Sequence, residues 1–179
     1  ENIIEGQNIQ DGDVILGLKS SGIHSNGFSL VRAILTKVYG DNYFEKAPES
    51  LIDMVMEPTK IYADSIKRIL HLRGIRGISH ITGGGLIGNI HRSITNLKKA
   101  VIHSSNLPKL AIMDWLKLNG DLSDVEMYKT FNCGVGMTLV VNRNITEYIF
   151  EILGDEVVEL GHIETRKHDD INVEILNDL

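Results

Sequence analysis

The chain has 179 residues, with 18 Lys and Arg against 24 Asp and Glu, and therefore a formal net charge of −6 at pH 7. This length suits one domain with a sizeable core, and a hydrophobic share of 42% argues against a disordered chain. The acidic balance, without any run of basic residues, argues against non-specific nucleic-acid binding, and no apolar stretch reaches the roughly 18 residues of a membrane helix.

The cysteine count and the first residues add two expectations. Cys133 is the only cysteine, which rules out an internal disulfide and fits a reducing compartment. The first five residues do not resemble a signal peptide, and the chain starts with Glu1 instead of Met. We therefore expect it to be a piece of a longer protein.

Strand and helix patterns alternate through the first half of the chain. A buried strand follows the turn signal at residues 11–13, and a helical stripe stops before Gly40. Pro58 and Thr59 are typical of a helix start. The predicted elements are, in chain order, a strand at 14–18, a helix at 28–38, an undecided segment at 41–57 with at most a short helix, a helix from 58 that ends at Gly74, a strand at 75–81 and a short helix at 86–94.

The second half continues in the same way and ends with two strands. Ser123 with Glu126 is typical of a capping box, as is Asn144 with Glu147. The predicted elements are a strand at 100–102, helices at about 108–118 and 124–130, a strand at 135–141, a helix from 144 that ends at Gly154, and strands at 157–163 and 171–175. This order predicts an α+β fold, in which a mixed β-sheet packs with helices in layers.

A polar, glycine-rich loop at residues 17–27 joins the first strand to the first helix. At such a junction several backbone N–H groups have no partner within the helix, and the helix dipole favours an anion. Side-chain donors in this loop are Ser20, Ser21, His24, Ser25 and Asn26. Two interpretations stay open, an anion-binding loop or a polar connection with a helix cap, because Ser, Asn and Gly are also the usual turn residues.

A second glycine-rich turn, at residues 80–89, repeats the order of strand, turn and helix. Gly83, Gly85 and Gly88 match the dinucleotide-binding pattern G-x-G-x-x-G. That pattern needs an acidic residue about 20 positions further on, and residues 90–112 contain no Asp or Glu. The mismatch argues against a nicotinamide cofactor. A turn that binds phosphate through its backbone remains one interpretation, and a tight turn with positive φ angles is the other.

A third cluster, at residues 131–137, leads into the strongest predicted strand. Cys133 has no base beside it in the sequence, so a small buried hydrophobe is the preferred interpretation over a nucleophile. Asn132 has two interpretations, a group that orients a substrate amide and a cap of the preceding helix. The seven histidines are scattered and no cysteine pair exists, so we predict no metal ligands.

Five segments together resemble one enzyme family. They lie at residues 12–32, 57–62, 80–85, 127–137 and 161–163, in the family's order and spacing. The chain is similar over nearly its whole length to the C-terminal domain of phosphoribosylformylglycinamidine cyclo-ligase, also called AIR synthetase. Two positions depart from the family pattern, which usually has an acidic residue in place of Gly88 and a proline in place of His91.

The resemblance implies a function in purine biosynthesis. The family closes the imidazole ring of formylglycinamidine ribonucleotide with ATP and Mg²⁺, and it forms aminoimidazole ribonucleotide in the cytoplasm. By this analogy the formamide oxygen is phosphorylated and the amidine nitrogen then displaces phosphate. Residues 1–179 would be the C-terminal substrate- and phosphate-binding domain. The N-terminal domain, which carries dimerisation and most ATP contacts, would be absent, and the chain alone would be inactive.

Site roles follow as predictions from this picture, in which the two glycine-rich loops face one cleft. His24 and His80 are the candidate catalytic residues, and a structural hydrogen bond is the alternative for His80. The candidate substrate- and phosphate-binding residues are Ser20, Ser21, Ser25, Asn26, Thr82, Gly83, Gly84, Gly85 and Asn132. We expect a ribonucleotide substrate, the missing N-terminal domain and a second copy of the full-length chain as partners, with neither nucleic acid nor membrane.

Three other functions are weighed against this one. Selenophosphate synthetase, thiamine-phosphate kinase and the amidotransferase of the preceding step share the two-domain plan and the glycine-rich turns. Residues 58–62 and 131–134 favour the cyclo-ligase over them. A phosphate-binding module without catalysis is an alternative of another class. A nicotinamide-dependent oxidoreductase is the third, weakened by the missing acidic residue.

Overall fold

The centre of the molecule is a six-stranded mixed β-sheet. The computed structural model describes residue 4 and residues 6–177. Its strands are β1 (Val14–Lys19), β2 (Ile75–His80), β3 (Lys98–His103), β4 (Val135–Val141), β5 (Val157–Thr165) and β6 (Val173–Leu176). Their order across the sheet is β2-β4-β1-β5-β3-β6, and among these described strands only the β3–β6 pair is parallel. The mixed sheet and its helices confirm the predicted α+β class.

Eight α-helices surround this sheet in the described part of the chain. They are α1 (Phe28–Tyr39), α2 (Tyr43–Lys46), α3 (Glu49–Met56), α4 (Ala63–Ile69), α5 (Gly85–Ser93), α6 (Ala111–Gly120), α7 (Asp124–Thr130) and α8 (Thr146–Leu153). Short 3₁₀ turns lie at Ser104–Asn106, Arg143–Ile145 and Gly154–Glu156. No helix within the described residues is long and apolar enough to cross a membrane.

Both faces of the central strands are covered, which explains their nearly continuous hydrophobic sequences. Successive side chains of β1 point to opposite faces. Leu16 packs in one cluster with α4 and α8, whereas its neighbour Ile15 packs with α5 on the other face. A third cluster joins α1, α3, α6 and α7 beside the sheet. Burial of these apolar side chains is the main stabilising contribution to the fold.

Local signals predicted several elements to within a residue or two, and long-range contacts moved others. Helix α7 and strand β4 lie where the capping box and the apolar run predict them, and both capping-box hydrogen bonds of Ser123 are present. The helix predicted from Pro58 begins only at Ala63. Residues 57–62 are not helical because their backbone bonds to the loop after β1: Lys60 N donates to His24 and Pro58 O accepts from Ser21.

Two further boundaries differ from the prediction. The undecided segment at 41–57 contains two helices, α2 and α3. Asn144 is not the cap of the following helix, because a 3₁₀ turn precedes α8 and the side chain of Asn142 accepts from Asn144 N at 2.9 Å. The capping function thus lies two residues earlier than the sequence pattern indicates.

Candidate functional site

Three loops meet at one edge of the sheet, where β4 begins. Strands β1 and β2 both run antiparallel to β4 and flank it, so their last residues lie beside its first ones. Lys19 is opposite Val135, and His80 is opposite Met137. The topology therefore brings together the loop at 20–27, the turn at 81–84 and the segment at 131–134.

Two buried amide side chains join these loops directly. Asn26 Nδ2 donates to Ile81 O at 3.2 Å, which links the serine-rich loop to the glycine turn. Asn132 Nδ2 donates to Gly22 O at 2.9 Å, and Asn132 Oδ1 accepts from Gly134 N at 3.0 Å. Asn132 is fully buried. These contacts show that the two glycine-rich loops are neighbours, and that both asparagines lie where the loops meet.

His24, in the loop at 20–27, is buried where these loops meet. Its Nε2 accepts from the backbone N–H of Ser21 at 3.3 Å and of Lys60 at 3.4 Å. These two donors assign the ring proton to Nδ1, which has no hydrogen-bond partner among the described residues. Burial, together with the charges of His80 and Lys60, lowers the pKa of His24 below its usual value. His24 is therefore a neutral ring that holds the 57–62 segment against the loop after β1.

The serine hydroxyls of this loop differ in their surroundings. Ser21 Oγ donates to Pro58 O at 2.6 Å, and Ser20 Oγ donates to Asn132 Oδ1 at 3.4 Å with only 8% of the residue exposed. Ser25 is exposed. Of the three candidate serines, Ser25 is therefore the one whose hydroxyl is open to a ligand.

Tyr62 is a member of this site that the sequence patterns alone did not single out. Its hydroxyl donates to Lys19 O at 3.0 Å, and its ring centroid lies 6.2 Å from that of His24 and 6.3 Å from that of His80. Burial raises the pKa of Tyr62, so the phenol remains a hydrogen-bond donor. Its place in the family-like segment at 57–62 was the signal that connected this residue with the site.

Lys60 brings a cation close to Tyr62. Its Nζ lies 5.7 Å from the centroid of the Tyr62 ring and 3.3 Å from Glu156 Oε2. Glu156 also accepts from Ser65 at 2.7 Å and from Arg68 at 3.0 Å. Three donors therefore hold this carboxylate, and their hydrogen bonds keep the pKa of Glu156 below its usual value.

The glycine turn before α5 has an open side and a closed side. Thr82, Gly83 and Gly84 are exposed, and a Cβ at Gly83 would meet no atom within 4 Å in the part of the chain that the structure describes. Gly85 has a φ of 64°, and a Cβ there would lie 2.5 Å from Tyr128 O. Glycine is therefore required at Gly85 for packing, whereas Gly83 borders open space that a ligand can enter.

The backbone donors of this turn are not all free. Gly85 N donates to Thr82 O at 3.1 Å, and Leu86 N donates to Phe131 O at 3.1 Å. Arg92 contributes a positive charge beside the turn, since its Nη1 donates to Asn89 Oδ1 at 3.4 Å and its Nη2 lies 3.9 Å from the Cβ position of Gly84. Sequence patterns did not single out Arg92, because it approaches the turn only through the α5 helix.

The remaining candidates separate into accessible and inaccessible groups. His80 is exposed at the end of β2, beside the buried Tyr62. Cys133 is only 8% exposed, and burial raises its pKa to about 12, which agrees with the prediction of a small buried hydrophobe. Within the described residues no group of three His, Cys, Asp or Glu side chains could hold a metal ion. Gly88 and His91, the two departures from the family pattern, line a groove between α5, α7 and β6.

Comparisons with known proteins agree on one family. A family model described as "AIR synthase related protein, C-terminal domain" matches residues 10–174. A phosphoribosylformylglycinamidine cyclo-ligase of Nitrosococcus oceani is 41% identical over 155 residues, which are 87% of this chain and 43% of that protein. The enzyme of the same name from Bordetella avium is 43% identical over 168 residues, which are 90% of this chain and 48% of that protein.

Solved structures share the fold at low sequence identity. The hydrogenase maturation protein HypE of E. coli superposes with a TM-score of 0.59 at 16% identity, over 95% of this chain and 48% of that one. Thiamine monophosphate kinase of Aquifex aeolicus superposes with a TM-score of 0.56 at 19% identity, over 98% of this chain and 53% of that one. These likenesses concern the fold alone. The chain spans about half the length of the proteins that it matches.

Proposed function

Because the chain belongs to the AIR synthase related protein family, as its C-terminal domain, we propose that it is one half of a phosphoribosylformylglycinamidine cyclo-ligase. The whole enzyme would use ATP to close the imidazole ring of formylglycinamidine ribonucleotide in purine biosynthesis. Curated relatives at 41–43% identity carry this name, and this chain covers less than half of their length. The proposed activity therefore belongs to a longer protein, and the chain alone would not turn over substrate.

The proposed task of this half is to bind the phosphate of the ribonucleotide or the phosphoryl group in transfer. The observation that carries the proposal is the junction of the three loops, with Thr82, Gly83 and Gly84 exposed beside the guanidinium of Arg92. Backbone N–H groups and a guanidinium are the donors that bind phosphate oxygens in many proteins. The net charge of −6 does not oppose this, because binding depends on the local donors.

The other candidate residues receive two kinds of role in this proposal. Ser25 and His80 are exposed and would contact substrate, and His80 would assist proton transfer. The others would hold the loops in place, since each makes a hydrogen bond within or between these loops and the 57–62 segment. They are Ser20, Ser21, Asn26, Asn132 and His24. His24 would thus act on turnover through the position of the 57–62 segment.

The nucleotide and its metal are assigned to the absent half of the enzyme. ATP is a substrate of the proposed reaction, and the described residues offer no group of acidic side chains or histidines that fits Mg²⁺. Dimerisation of the full-length enzyme and its place in the cytoplasm are parts of the same proposal.

Release of phosphate from ATP, dependent on formylglycinamidine ribonucleotide, tests the proposal. The protein from the complete open reading frame should show this activity, and the 179-residue chain should show none. Steady turnover by the chain alone would contradict the assignment of ATP to the other half. A full-length protein that binds the ribonucleotide without turnover would favour a binding module over an enzyme.

A further inference from the structure

Asn89 lies beneath the glycine turn and contacts most of its carbonyl groups. The residue belongs to α5 and is only 3% exposed. Its Nδ2 lies 3.0 Å from Thr82 O, 3.3 Å from Gly83 O and 2.7 Å from Gly85 O. Its Oδ1 accepts from Thr82 Oγ1 at 3.2 Å. One side chain therefore holds the turn from its buried side.

These contacts are more than the usual bond of a polar side chain to its own helix. Asn89 Nδ2 and Gly85 O are four residues apart, which is a common spacing for such a bond. Thr82 and Gly83 precede α5, so bonds to their carbonyls do not belong to the helix. The amide has two hydrogens for three carbonyls, and one hydrogen must therefore be shared.

The position of the carbonyl groups fixes the direction of the next N–H groups. In a trans peptide the C=O of one residue and the N–H of the following residue point in opposite directions. The described residues contain no cis peptide bond. Because Thr82 O and Gly83 O face Asn89 on the buried side, the N–H groups of Gly83 and Gly84 face the exposed side.

We propose that Asn89 is the positioning residue of the anion site: it holds the turn so that the N–H groups of Gly83 and Gly84 point together toward a bound phosphate. This inference rests on the proposed function, since it assumes that the turn binds phosphate. Asn89 itself is buried and does not touch the ligand. Without its amide, the glycines have no side chains to restrict them, and their peptide planes can rotate.

Two measurements on the 179-residue chain test the inference. Residual dipolar couplings of the backbone amides report the direction of the Gly83 and Gly84 N–H bonds without any ligand. Titration with inorganic phosphate, and separately with ribose 5-phosphate, followed by amide chemical shifts, reports binding. The variants are Asn89→Leu, which has a similar size, and Asn89→Ser as a second, smaller replacement.

Ser79→Ala is the matched control. Ser79 Oγ donates to the backbone carbonyl of Asn89 at 2.8 Å, so this variant removes a bond at the same residue and keeps the side-chain amide. In both Asn89 variants we expect the couplings of Gly83 and Gly84 to change while those of the sheet do not. Phosphate affinity should fall about tenfold or more, as expected for loss of directed hydrogen bonds to a charged group. The control should keep both properties.

The outcomes separate this inference from the function on which it rests. If the unchanged chain binds neither phosphate nor ribose 5-phosphate, the proposed function of this half fails. If the unchanged chain binds and the folded Asn89 variants bind equally well, the inference fails and the function stands. Couplings of the unchanged chain that place the Gly83 and Gly84 N–H bonds toward the interior would overturn the inference even if neither variant folds.

Discussion

Replacement of Gly136 by alanine should lower the free energy of unfolding, because it disturbs the packing at the centre of the candidate site. Gly136 lies in β4 beneath two rings, and a Cβ there would overlap Tyr62 Oη and lie 2.7 Å from His24 Cε1. Overpacking of this kind costs about 1–3 kcal/mol. Displacement of Tyr62 also breaks its bond to Lys19 O, which adds about 0.5–1.5 kcal/mol.

The expected total for Gly136→Ala is a loss of about 3 kcal/mol in the free energy of unfolding, or roughly 6–12 °C in Tm for a chain of this size. Urea unfolding followed by circular dichroism measures the free energy. Hydrogen exchange should show a faster Lys60 amide, because displacement of His24 removes its acceptor. In a Tyr62→Phe background the loss should be smaller, since the overlapping oxygen is gone.

Gly88→Ala is the control for this experiment. A Cβ at Gly88 meets no atom of the described residues within 4 Å, and the residue lies inside α5. Alanine there should stabilise the protein by about 0.5–1 kcal/mol. A Gly136→Ala protein as stable as the unchanged chain would refute the close packing of His24 and Tyr62 on β4, and with it the account of how the 57–62 segment is held.

Three further predictions concern titratable and nucleophilic groups. In the proposed full-length enzyme, His80→Ala should lower turnover about 100-fold with an unchanged Tm. His24→Ala should lower both turnover and Tm. Equal losses of Tm in the two variants would contradict the exposed position of His80 and the buried position of His24. The folded-state pKa of His24 lies below its unfolded value, so its contribution to stability is present above that unfolded pKa and decreases as pH falls below it. The free energy of unfolding of the unchanged chain, measured with urea, should decrease from pH 7 to pH 5 by up to about 1.4 kcal/mol per pH unit. In His24→Ala this decrease should be smaller. Cys133, with a pKa of about 12, should hold about 1,000-fold less thiolate at pH 8 than an ordinary thiol of pKa 9, and should therefore react slowly with a disulfide reagent; reaction as fast as that of a free thiol in the native protein would show that the thiol is accessible.

Sequence patterns predicted the elements whose signals are local. The capping box at Ser123 defined the start of α7, and the apolar run defined β4, because both signals arise within a few residues of each other. The start of α4 was misplaced since Pro58 and Thr59 favour a helix, while bonds to Ser21 and His24 hold this segment in another conformation. Those bonds join residues 36 or 37 positions apart.

The same contrast between local signals and long-range contacts applies to the candidate site. Clusters of serine and glycine indicated which loops carry the site, and the family-like segments named most of its members. They did not show that His24 is buried and Ser25 exposed, because that difference depends on how the 57–62 segment covers the loop. The sequence pattern gave Asn89 and Arg92 no role in the site, because only the geometry of helix α5 brings their side chains back to the turn.

Asn26 and Asn132 have a consequence for the energetics of ligand binding at this edge. These side chains link three loops through buried hydrogen bonds. The conformational entropy of this edge is therefore lost during folding, before any ligand binds. A preorganised surface loses little further conformational entropy when it binds a ligand. In the proposed two-domain enzyme, any large closing motion would then come from the other half, because this edge is already ordered.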